Sequence, residues 1–234
     1  DRSIAVLESI EKAGIEISDI SYLMHGTTTA TNALIERSYP DAAFITTEGF
    51  RDTIEIGRQH RQHLYDPYQT KPKPIIKRRY RHTVPERTNV RGETERPLDV
   101  AAARAVAERI KAAGIPSVAI GFINSYASGR HEEQMRDILR ETCPDIHIVL
   151  SSETRPIFRE HGRFVTTAVR AACMPVMVKY MDDLENRLAR HGFAGKLLIL
   201  KSSGGVMSAE AARQHPEDML ESGPAGGVAY AGYL

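Results

Sequence analysis

The chain has 234 residues, 41% of them hydrophobic, which suffices for one large domain or two domains of ordinary size. Its 31 basic and 30 acidic residues leave a net charge of +1, which excludes a strong overall attraction to nucleic acid or to an anionic membrane. Cys143 and Cys173 lie in unrelated contexts, so neither a disulfide framework nor a structural zinc site is predicted. This cysteine usage fits a reducing compartment, so we expect a cytoplasmic protein. No apolar run approaches the roughly 20 residues of a membrane span.

Short apolar runs alternate with helical patterns along the chain, and this alternation predicts an α/β fold. Strands are expected at residues 22–25, 42–47, 75–84, 117–122, 146–151 and 196–201, and helices at 30–37, 99–113, 130–142 and 158–190, with a short helix beginning within 48–52. Asp99 is the expected cap of its helix, and Gly114 its end. Pro175 removes a helix hydrogen bond, so a break or kink is expected near it.

The two ends of the chain suggest a piece of a longer protein. Residues 3–13 resemble the middle of a helix, because hardly any capping residue stands upstream of them. Residues 229–234 form an apolar stripe that needs a partner surface. We therefore expect the chain to be incomplete at both ends.

Residues 60–97 form a proline-rich stretch that we interpret as an inserted hairpin or excursion. Within 51–91 the sequence places eleven basic residues against four acidic ones, with Tyr65, Tyr68 and Tyr80 interleaved. Such a patch could contact nucleic acid. A strand over 77–81 would, however, put its charges on both faces, so a solvated or subunit-contacting surface is the favoured interpretation.

The first candidate ligand-binding segment is residues 25–32, with the sequence His-Gly-Thr-Thr-Thr-Ala-Thr-Asn. It places hydroxyl groups and free backbone N–H groups at the carboxyl end of a strand, where open α/β sheets bind ligands. The segment could hold a carbonyl or a phosphate. The alternative is that the threonines cap the following helix and satisfy backbone groups.

Two glycine-rich segments follow later in the chain. Ser202-Ser203-Gly204-Gly205 comes directly after an apolar strand, and residues 221–228 read Glu-Ser-Gly-Pro-Ala-Gly-Gly-Val. Glycines let a ligand or another backbone approach closely, and a helix that starts after Pro224 would point N–H groups at an anion. A tightly packed turn is the alternative. Neither segment matches a Walker loop or the dinucleotide fingerprint, which disfavours a Rossmann dehydrogenase.

Charged residues near two further positions could also carry chemistry. Arg58, after Ile56-Gly57, could clamp a carboxylate or phosphate. Glu153, Glu160 and His161 could include a base or a metal ligand, although a capping and salt-bridge cluster at a helix start is favoured. His131 has no second ligand four residues on, so a metal is discounted there. No metal-binding residue and no general base is predicted.

Taken in order, these segments resemble the A subunit of the hydantoinase/oxoprolinase family. The most specific parts are residues 25–37, HGTTTATNALIER, then 47–52, TEGFRD, with 55–59, EIGRQ, and 221–228, ESGPAGGV; residues 151–153, 158–160 and 202–207 support them. The resemblance covers essentially the whole chain. Residues 160–163, Glu-His-Gly-Arg, depart from the expected Glu-Tyr-Glu-Arg, and Lys201 stands where Gln is common.

The resemblance implies an actin-like ATPase fold, ribonuclease H-like, that binds ATP and Mg²⁺. Residues 1–201 would be the first actin-like domain without its initial hairpin, and 202–234 a glycine-rich connection and helix leading to a missing second domain. Thr27, Thr28, Thr29 and Arg58 would bind substrate. The expected cofactor-binding residues are Ser203, Gly204, Gly205, Gly223, Gly226 and Gly227.

The implied activity is ATP-dependent opening of a cyclic amide, a hydantoin or 5-oxoproline, by phosphorylation of the amide oxygen. The expected partners are a B-type subunit or fused domain and the small cyclic amide, in an oligomer without nucleic acid or membrane. Because the phosphate-binding turns of the family are absent, the isolated chain is expected to be inactive. The alternatives are a subunit of an ATP-dependent ketone carboxylase and a non-catalytic actin-like chaperone or reactivating factor.

Overall fold

The computed structural model describes residues 2–60, 63 and 65–223. The strands are β1 (Tyr22–His25), β2 (Ala42–Thr47), β3 (Arg81–Val84), β4 (Arg87–Thr88), β5 (Thr94–Arg96), β6 (Ser117–Gly121), β7 (His147–Leu150), β8 (Lys196–Leu200) and β9 (Val206–Ser208). The helices are α1 (Arg2–Lys12), α2 (Thr29–Glu36), α3 (Thr53–Ile56), α4 (Val100–Ala112), α5 (Arg130–Thr142), α6 (Ser151–Thr154), α7 (Glu160–Arg190) and α8 (Ala209–Gln214). The predicted α/β fold is confirmed.

The chain forms two compact units. The central unit is Pro40–Ala172, and the terminal unit combines the described residues of Asp1–Tyr39 and Cys173–Leu234. Helix α7 begins in the central unit and ends in the terminal unit. The division at residue 201 that the family resemblance implied stays a prediction.

The central unit is built on a parallel sheet with the strand order β3-β2-β6-β7. Every residue of β2 and β6 is buried, as expected for inner strands of a parallel sheet covered on both faces. Helices α4 and α5 supply Ile110, Met135 and Leu139 to the core beside Ile45 and Ile120. The side chain of Asp99 accepts a hydrogen bond from the Ala102 amide at 2.9 Å, which confirms the predicted cap of α4.

The terminal unit contains a smaller sheet with the order β1-β8-β9. Strands β1 and β8 are parallel, with Tyr22 opposite Lys196 and His25 opposite Ile199, and β9 returns antiparallel to β8. The second half of α7 packs its apolar face here through Met177, Met181 and Leu184, all fully buried. The carboxyl ends of β1 and β8 therefore lie side by side.

Several predicted boundaries are corrected by the structure. The strand expected at 75–84 is confined to β3, because residues 78–80 form a 3-10 turn. That strand joins the main sheet beside β2, and among the described residues of 60–97 the antiparallel hairpin consists of β4 and β5. The chain turns at residues 48–52, and helix α3 starts at Thr53.

Of the break or kink expected at Pro175, the break is wrong, because α7 is continuous from Glu160 to Arg190; the kink stays a prediction. A proline within a helix costs about 3 kcal/mol. Burial of each large apolar side chain returns roughly 1.5–3 kcal/mol, and Met177, Met181 and Leu184 are all buried in the turns after the proline. Tertiary packing therefore outweighs the local cost.

Much of the basic excess at 51–91 is neutralised within the central unit. Lys77 and Arg79 pair with Asp41, and Arg78 and Arg81 pair with Asp52. This pairing agrees with the favoured interpretation of a solvated protein surface. Among the described residues, none of the helices has the length and apolar character that a bilayer crossing requires.

Candidate functional site

The terminal unit places the threonine segment directly after β1, at the start of α2. Thr27 and Thr29 are buried and their hydroxyl groups share a hydrogen bond of 2.8 Å. The Thr29 amide donates to the Thr27 hydroxyl at 3.2 Å. Thr27 and Thr29 therefore bond to each other and to the backbone, as in the structural alternative given in the sequence analysis. Thr28 differs, because it is exposed and makes no side-chain capping bond.

The described start of the last glycine-rich segment lies against these threonines. The Ser222 hydroxyl donates to the Thr27 carbonyl at 3.2 Å, and the Glu221 amide donates to the Thr31 hydroxyl at 3.2 Å. A Cβ atom on Gly223 would lie 3.4 Å from the Thr28 methyl carbon. Two segments far apart in sequence thus meet at the carboxyl end of β1. Gly226 and Gly227 lie outside the described residues.

Residues 202–205 form the hairpin turn between β8 and β9. Gly204 and Gly205 have φ angles of 85° and 74°, which L side chains rarely adopt, and a Cβ atom on either would meet no atom within 4 Å. Ser203, Gly204 and Gly205 are exposed. The hairpin is anchored by Ser202, whose amide and hydroxyl both donate to the Asp218 carbonyl at 2.7 Å.

His25 is the last residue of β1, and its side chain contacts helix α7. Its Nε2 shares a hydrogen bond of 2.7 Å with the Tyr180 hydroxyl of α7. Burial lowers the pKa of His25 below its usual value. The imidazole is therefore neutral at pH 7, and its contact with Tyr180 gives it a structural role.

The central unit contains an open cavity of about 730 Å³. Its wall comes from the segment after β2, the loop after β6 and the start of α7; the lining residues are Gly49, Phe50, Arg51, Asp52, Thr53, Ile56, Gly57, Thr83, Ile123, Phe158, Arg159, Glu160 and His161. Arg58 stands at its edge, where a Cβ atom on Gly162 would lie 3.3 Å from Nη2. A cavity of this size can enclose a small ring compound.

His161 is a histidine of this wall whose pKa is lowered. Burial and, second to it, the Arg58 guanidinium lower the pKa of His161, so that the ring is neutral at pH 7. Its Nδ1 is buried and has no hydrogen-bond partner among the described residues. A neutral imidazole can accept a proton or donate a hydrogen bond, which keeps His161 available to a ligand.

Asp52, in contrast, is already engaged. The Arg78 guanidinium binds it through Nε at 3.1 Å and Nη2 at 3.0 Å, and Arg81 Nη1 lies 3.3 Å away. The hydrogen bond from Arg78 lowers the pKa of Asp52. A carboxylate held in this way is a poor proton acceptor.

A buried polar cluster, which sequence reasoning missed, supports the cavity wall. Glu132 is fully buried and accepts hydrogen bonds from the amides of Phe122 and Ser152 at 2.9 and 2.8 Å. The hydroxyls of Ser151 and Ser152 donate to the same carboxylate at 2.6 and 2.7 Å. The cluster therefore ties α5 to the chain segments that leave β6 and β7.

Three further contacts extend the cluster to the wall itself. The Ile123 amide donates to the Thr47 hydroxyl at 3.0 Å, and Thr47 donates in turn to Glu86. Glu86 also accepts from Nδ1 of His131 at 2.7 Å. The signal was readable in the sequence, because positions 131 and 132 fall on the apolar face of α5 with Met135 and Leu139.

The central unit also explains Glu153 and Glu160. Glu153 pairs with Arg136 at 2.7 Å, and Glu160 accepts from the buried Arg163 at 3.4 Å. The salt-bridge interpretation therefore holds for both. The described residues include no group of three or more His, Cys, Asp or Glu side chains that could hold a metal ion.

Two regions of the chain match protein-family models. Residues 3–143 match the hydantoinase/oxoprolinase N-terminal region, and residues 163–234 match the hydantoinase/oxoprolinase model. The chain belongs to the hydantoinase/oxoprolinase family. The resemblance carried by the threonine and glycine segments is confirmed.

Three curated relatives of this family member cover most of the chain. An uncharacterized protein of Methanocaldococcus jannaschii is 37% identical over 99% of the chain and 34% of its own length. The caprolactamase subunit alpha of Pseudomonas jessenii is 29% identical over 89% of the chain and 30% of its length. The 5-oxoprolinase of Saccharomyces cerevisiae is 30% identical over 92% of the chain and 18% of its own length. The chain thus spans about a third or less of these relatives.

Solved structures confirm the fold. The crystal structure of ATP-dependent caprolactamase from Pseudomonas jessenii has a TM-score of 0.86 at 28% identity, over 94% of this chain and 33% of that one. A nucleotide-free acetone carboxylase structure has a TM-score of 0.85 at 23% identity, over 99% of this chain and 35% of that one. The hydantoinase/oxoprolinase chain therefore has the α/β fold of the actin-like ATPase type that the family resemblance implied.

The predicted site residues fall into two groups. Thr27, Thr28, Thr29 and Gly223 come together in the terminal unit, where Ser203, Gly204 and Gly205 occupy the β8–β9 turn; Arg58 belongs to the central unit. Their roles in binding substrate and nucleotide stay predictions.

Proposed function

We propose that this chain is part of an ATP-dependent enzyme that opens a cyclic amide. Membership of the hydantoinase/oxoprolinase family supports the proposal, and so does similarity to a caprolactamase subunit and a 5-oxoprolinase. The observation that carries it is the meeting of Thr28 with Gly223 at the carboxyl end of β1. Sheet edges of this kind are where open α/β folds bind ligands.

The terminal unit fits a nucleotide phosphate group. A Cβ atom on Gly223 would touch the Thr28 methyl carbon at 3.4 Å, whereas Gly204 and Gly205 face open space. Backbone that lacks Cβ atoms lets phosphate oxygens come close to N–H groups. Ser203, Gly204, Gly205 and Gly223 would therefore form walls of the nucleotide site, with Gly226 and Gly227 continuing the same segment.

Bound ATP would supply the phosphoryl group that activates the carbon of the ring amide, so that water could add there and the C–N bond could break, with a proton passing to the nitrogen. The exposed Thr28 hydroxyl would hydrogen-bond the oxygen to be modified or the group transferred to it. Buried Thr27 and Thr29 would fix the backbone that presents Thr28, because their hydroxyls are tied to each other.

Mg²⁺ would accompany the nucleotide. The described residues offer no cluster of three or more acidic, His or Cys side chains for it. Mg²⁺ in nucleotide enzymes is usually held by phosphates, water and one or two carboxylates, so a dedicated cage is not required. In the central unit, Arg58 would bind the substrate. A B-type subunit or fused domain would complete the reaction in an oligomeric assembly.

The test is ATP turnover by the full-length protein, with and without its B-type partner, on hydantoin, 5-oxoproline and acetophenone with bicarbonate. We expect release of phosphate that depends on one ring amide and rises with the partner present. Turnover only with the ketone and bicarbonate would replace the proposal with the carboxylase alternative. Silence with all three compounds, together with stoichiometric binding of a partner, would favour the non-catalytic alternative.

A further inference from the structure

The cavity of the central unit carries an excess of positive charge. Its acidic wall residues are already neutralised from outside the wall, Asp52 by Arg78 and Arg81, and Glu160 by the buried Arg163. The basic side chains are not compensated in the same way. The guanidinium groups of Arg159 in the wall and of Arg58 at its edge make no ion pair or hydrogen bond within the described part of the chain.

A third guanidinium adds to this excess. Arg51 lines the cavity and donates through Nη2 to the Arg78 carbonyl at 2.9 Å, while its buried Nε has no partner among the described residues. A buried N–H without an acceptor costs roughly 1–3 kcal/mol unless a ligand satisfies it. Arg51 is therefore prepared to donate to an acceptor that enters the cavity.

The backbone at the cavity contributes to the same polarity. Helix α7 begins at Glu160 in the wall, so the positive end of its dipole and its first N–H groups lie there. Arg159 just before it has a φ angle of 81°, a left-handed conformation that L residues rarely adopt. Strained residues of this kind concentrate at ligand sites.

Much of the remaining wall is apolar. Phe50, Ile56, Ile123 and Phe158 line the same space, and Phe158 is exposed although it is a large aromatic side chain. A cavity with apolar sides and a few convergent polar groups is typical of small-molecule sites. The ligand that matches it has a compact ring and one anionic group.

We propose that this cavity binds a cyclic amide that carries a carboxylate, with Arg58 and Arg159 as ligands of that carboxylate. The inference rests on the proposed function and narrows its substrate class to anionic rings, such as 5-oxoproline. The planar guanidinium group matches a carboxylate in a two-point hydrogen-bonded pair. A phosphate group has similar oxygen atoms, so the test must separate the two sources of negative charge.

The test compares two lactams of equal ring size by isothermal titration calorimetry, on the full-length protein without ATP. The probes are 5-oxoproline and 2-pyrrolidinone, which lacks only the carboxylate; inorganic phosphate and ATP are titrated separately. We expect 5-oxoproline to bind at least about tenfold more tightly than 2-pyrrolidinone, the difference expected for one charge-assisted contact. Arg58→Gln and Arg159→Gln are each expected to remove most of that preference.

The controls use the same kind of side chain. Arg140→Gln removes an exposed arginine of α5 that lies outside the cavity wall, and should leave the preference unchanged. Arg58→Lys keeps the charge and should retain part of the preference. Because Arg58 and Arg159 are exposed and unpaired among the described residues, the variants should melt at the wild-type temperature.

Equal binding of the two lactams would overturn the inference, as would a carboxylate preference that survives both arginine substitutions. Binding of phosphate or ATP that depends on Arg58 and Arg159, without binding of 5-oxoproline, would also overturn it in favour of a phosphate site. The proposed function is tested separately by ATP turnover. Turnover of ring amides without a charge preference would support the proposed function and overturn the carboxylate site. Carboxylate-selective binding without turnover would support the carboxylate site and overturn the proposed function.

Discussion

At the scale of single residues, the central unit depends on a carboxylate that is hidden from solvent. Glu132 accepts four hydrogen bonds, from the amides of Phe122 and Ser152 and the hydroxyls of Ser151 and Ser152. A carboxylate is suited to this place because it accepts through both oxygens and donates through neither. The residue therefore stabilises the loops after β6 and β7 rather than taking part in chemistry.

Glu132→Gln tests this assignment. The substituted amide presents a donor to two groups that are themselves donors, so at least one hydrogen bond is lost in a buried place. We expect the free energy of unfolding to fall by about 2 kcal/mol or more. Urea unfolding followed by circular dichroism measures it. Glu133→Gln, at the exposed neighbouring position, should change stability by less than about 0.5 kcal/mol; equal effects of the two substitutions would contradict the assignment.

Thr28 is the threonine of its segment whose side chain remains accessible. Thr28→Ala is expected to lower ATP turnover at least about tenfold, because it removes a hydroxyl that would contact the reacting groups. Stability should be nearly unchanged, since the Thr28 hydroxyl accepts only a long bond of 3.3 Å from the Asn32 side chain. Thr142→Ala, which removes a hydroxyl at the end of α5, serves as the control. Unchanged turnover in Thr28→Ala would remove Thr28 from the site.

At the scale of elements, the first half of α7 packs directly on the centre of the main sheet. Phe164 lies against Gly121 of β6 and against Phe44 of β2, with the two phenyl centroids 5.3 Å apart. A Cβ atom on Gly121 would be only 2.5 Å from a Phe164 ring carbon. The glycine thus sets how closely this helix approaches the sheet, and the start of the helix forms part of the cavity wall.

Gly121→Ala should therefore be destabilising, by about 1–3 kcal/mol, because the added methyl group overfills a packed core. Phe164→Leu alone should also destabilise, through the loss of aromatic packing. In the double variant the two costs should not add, since the smaller leucine makes room for the methyl group. Urea midpoints of the three variants provide the measurement. Strict additivity would show that the helix position does not depend on this contact.

At the scale of the whole molecule, partly buried imidazoles link stability to pH. Burial lowers the pKa of His25, His82, His147 and His161 below the usual value of about 6.5. The unfolded chain consequently binds more protons than the folded chain once the pH falls below about 6.5. Stability must then decrease as the pH falls, and the decrease ends below the lowered pKa values.

We expect the urea midpoint at pH 5 to lie below that at pH 7. Asp52 does not contribute between pH 5 and pH 7, because its pKa is lowered and its stabilising contribution is lost only in stronger acid. His25→Gln removes one of the four groups and should reduce the difference between the two midpoints. A midpoint that is the same at both pH values, or higher at pH 5, would show that these histidines do not control stability.

The sequence by itself determined the local elements and the segments that carry the resemblance. Continuous apolar runs gave β1 and β2 their correct bounds, and the capping side chain of Asp99 marked the start of α4. These features depend on residues close together in the chain, where side-chain alternation, helix caps and glycine freedom act directly. The same local logic located the threonine segment at the end of a strand.

Only the tertiary structure decided which distant groups meet. Pairing of β1 with β8, continuity of α7 through Pro175, the Glu86–His131 contact and the cavity with its uncompensated arginines are absent from any local pattern. The physical reason is that burial and charge pairing are long-range. A proline or a buried glutamate is unfavourable in isolation, and becomes favourable when packing and hydrogen bonds from other segments compensate its cost.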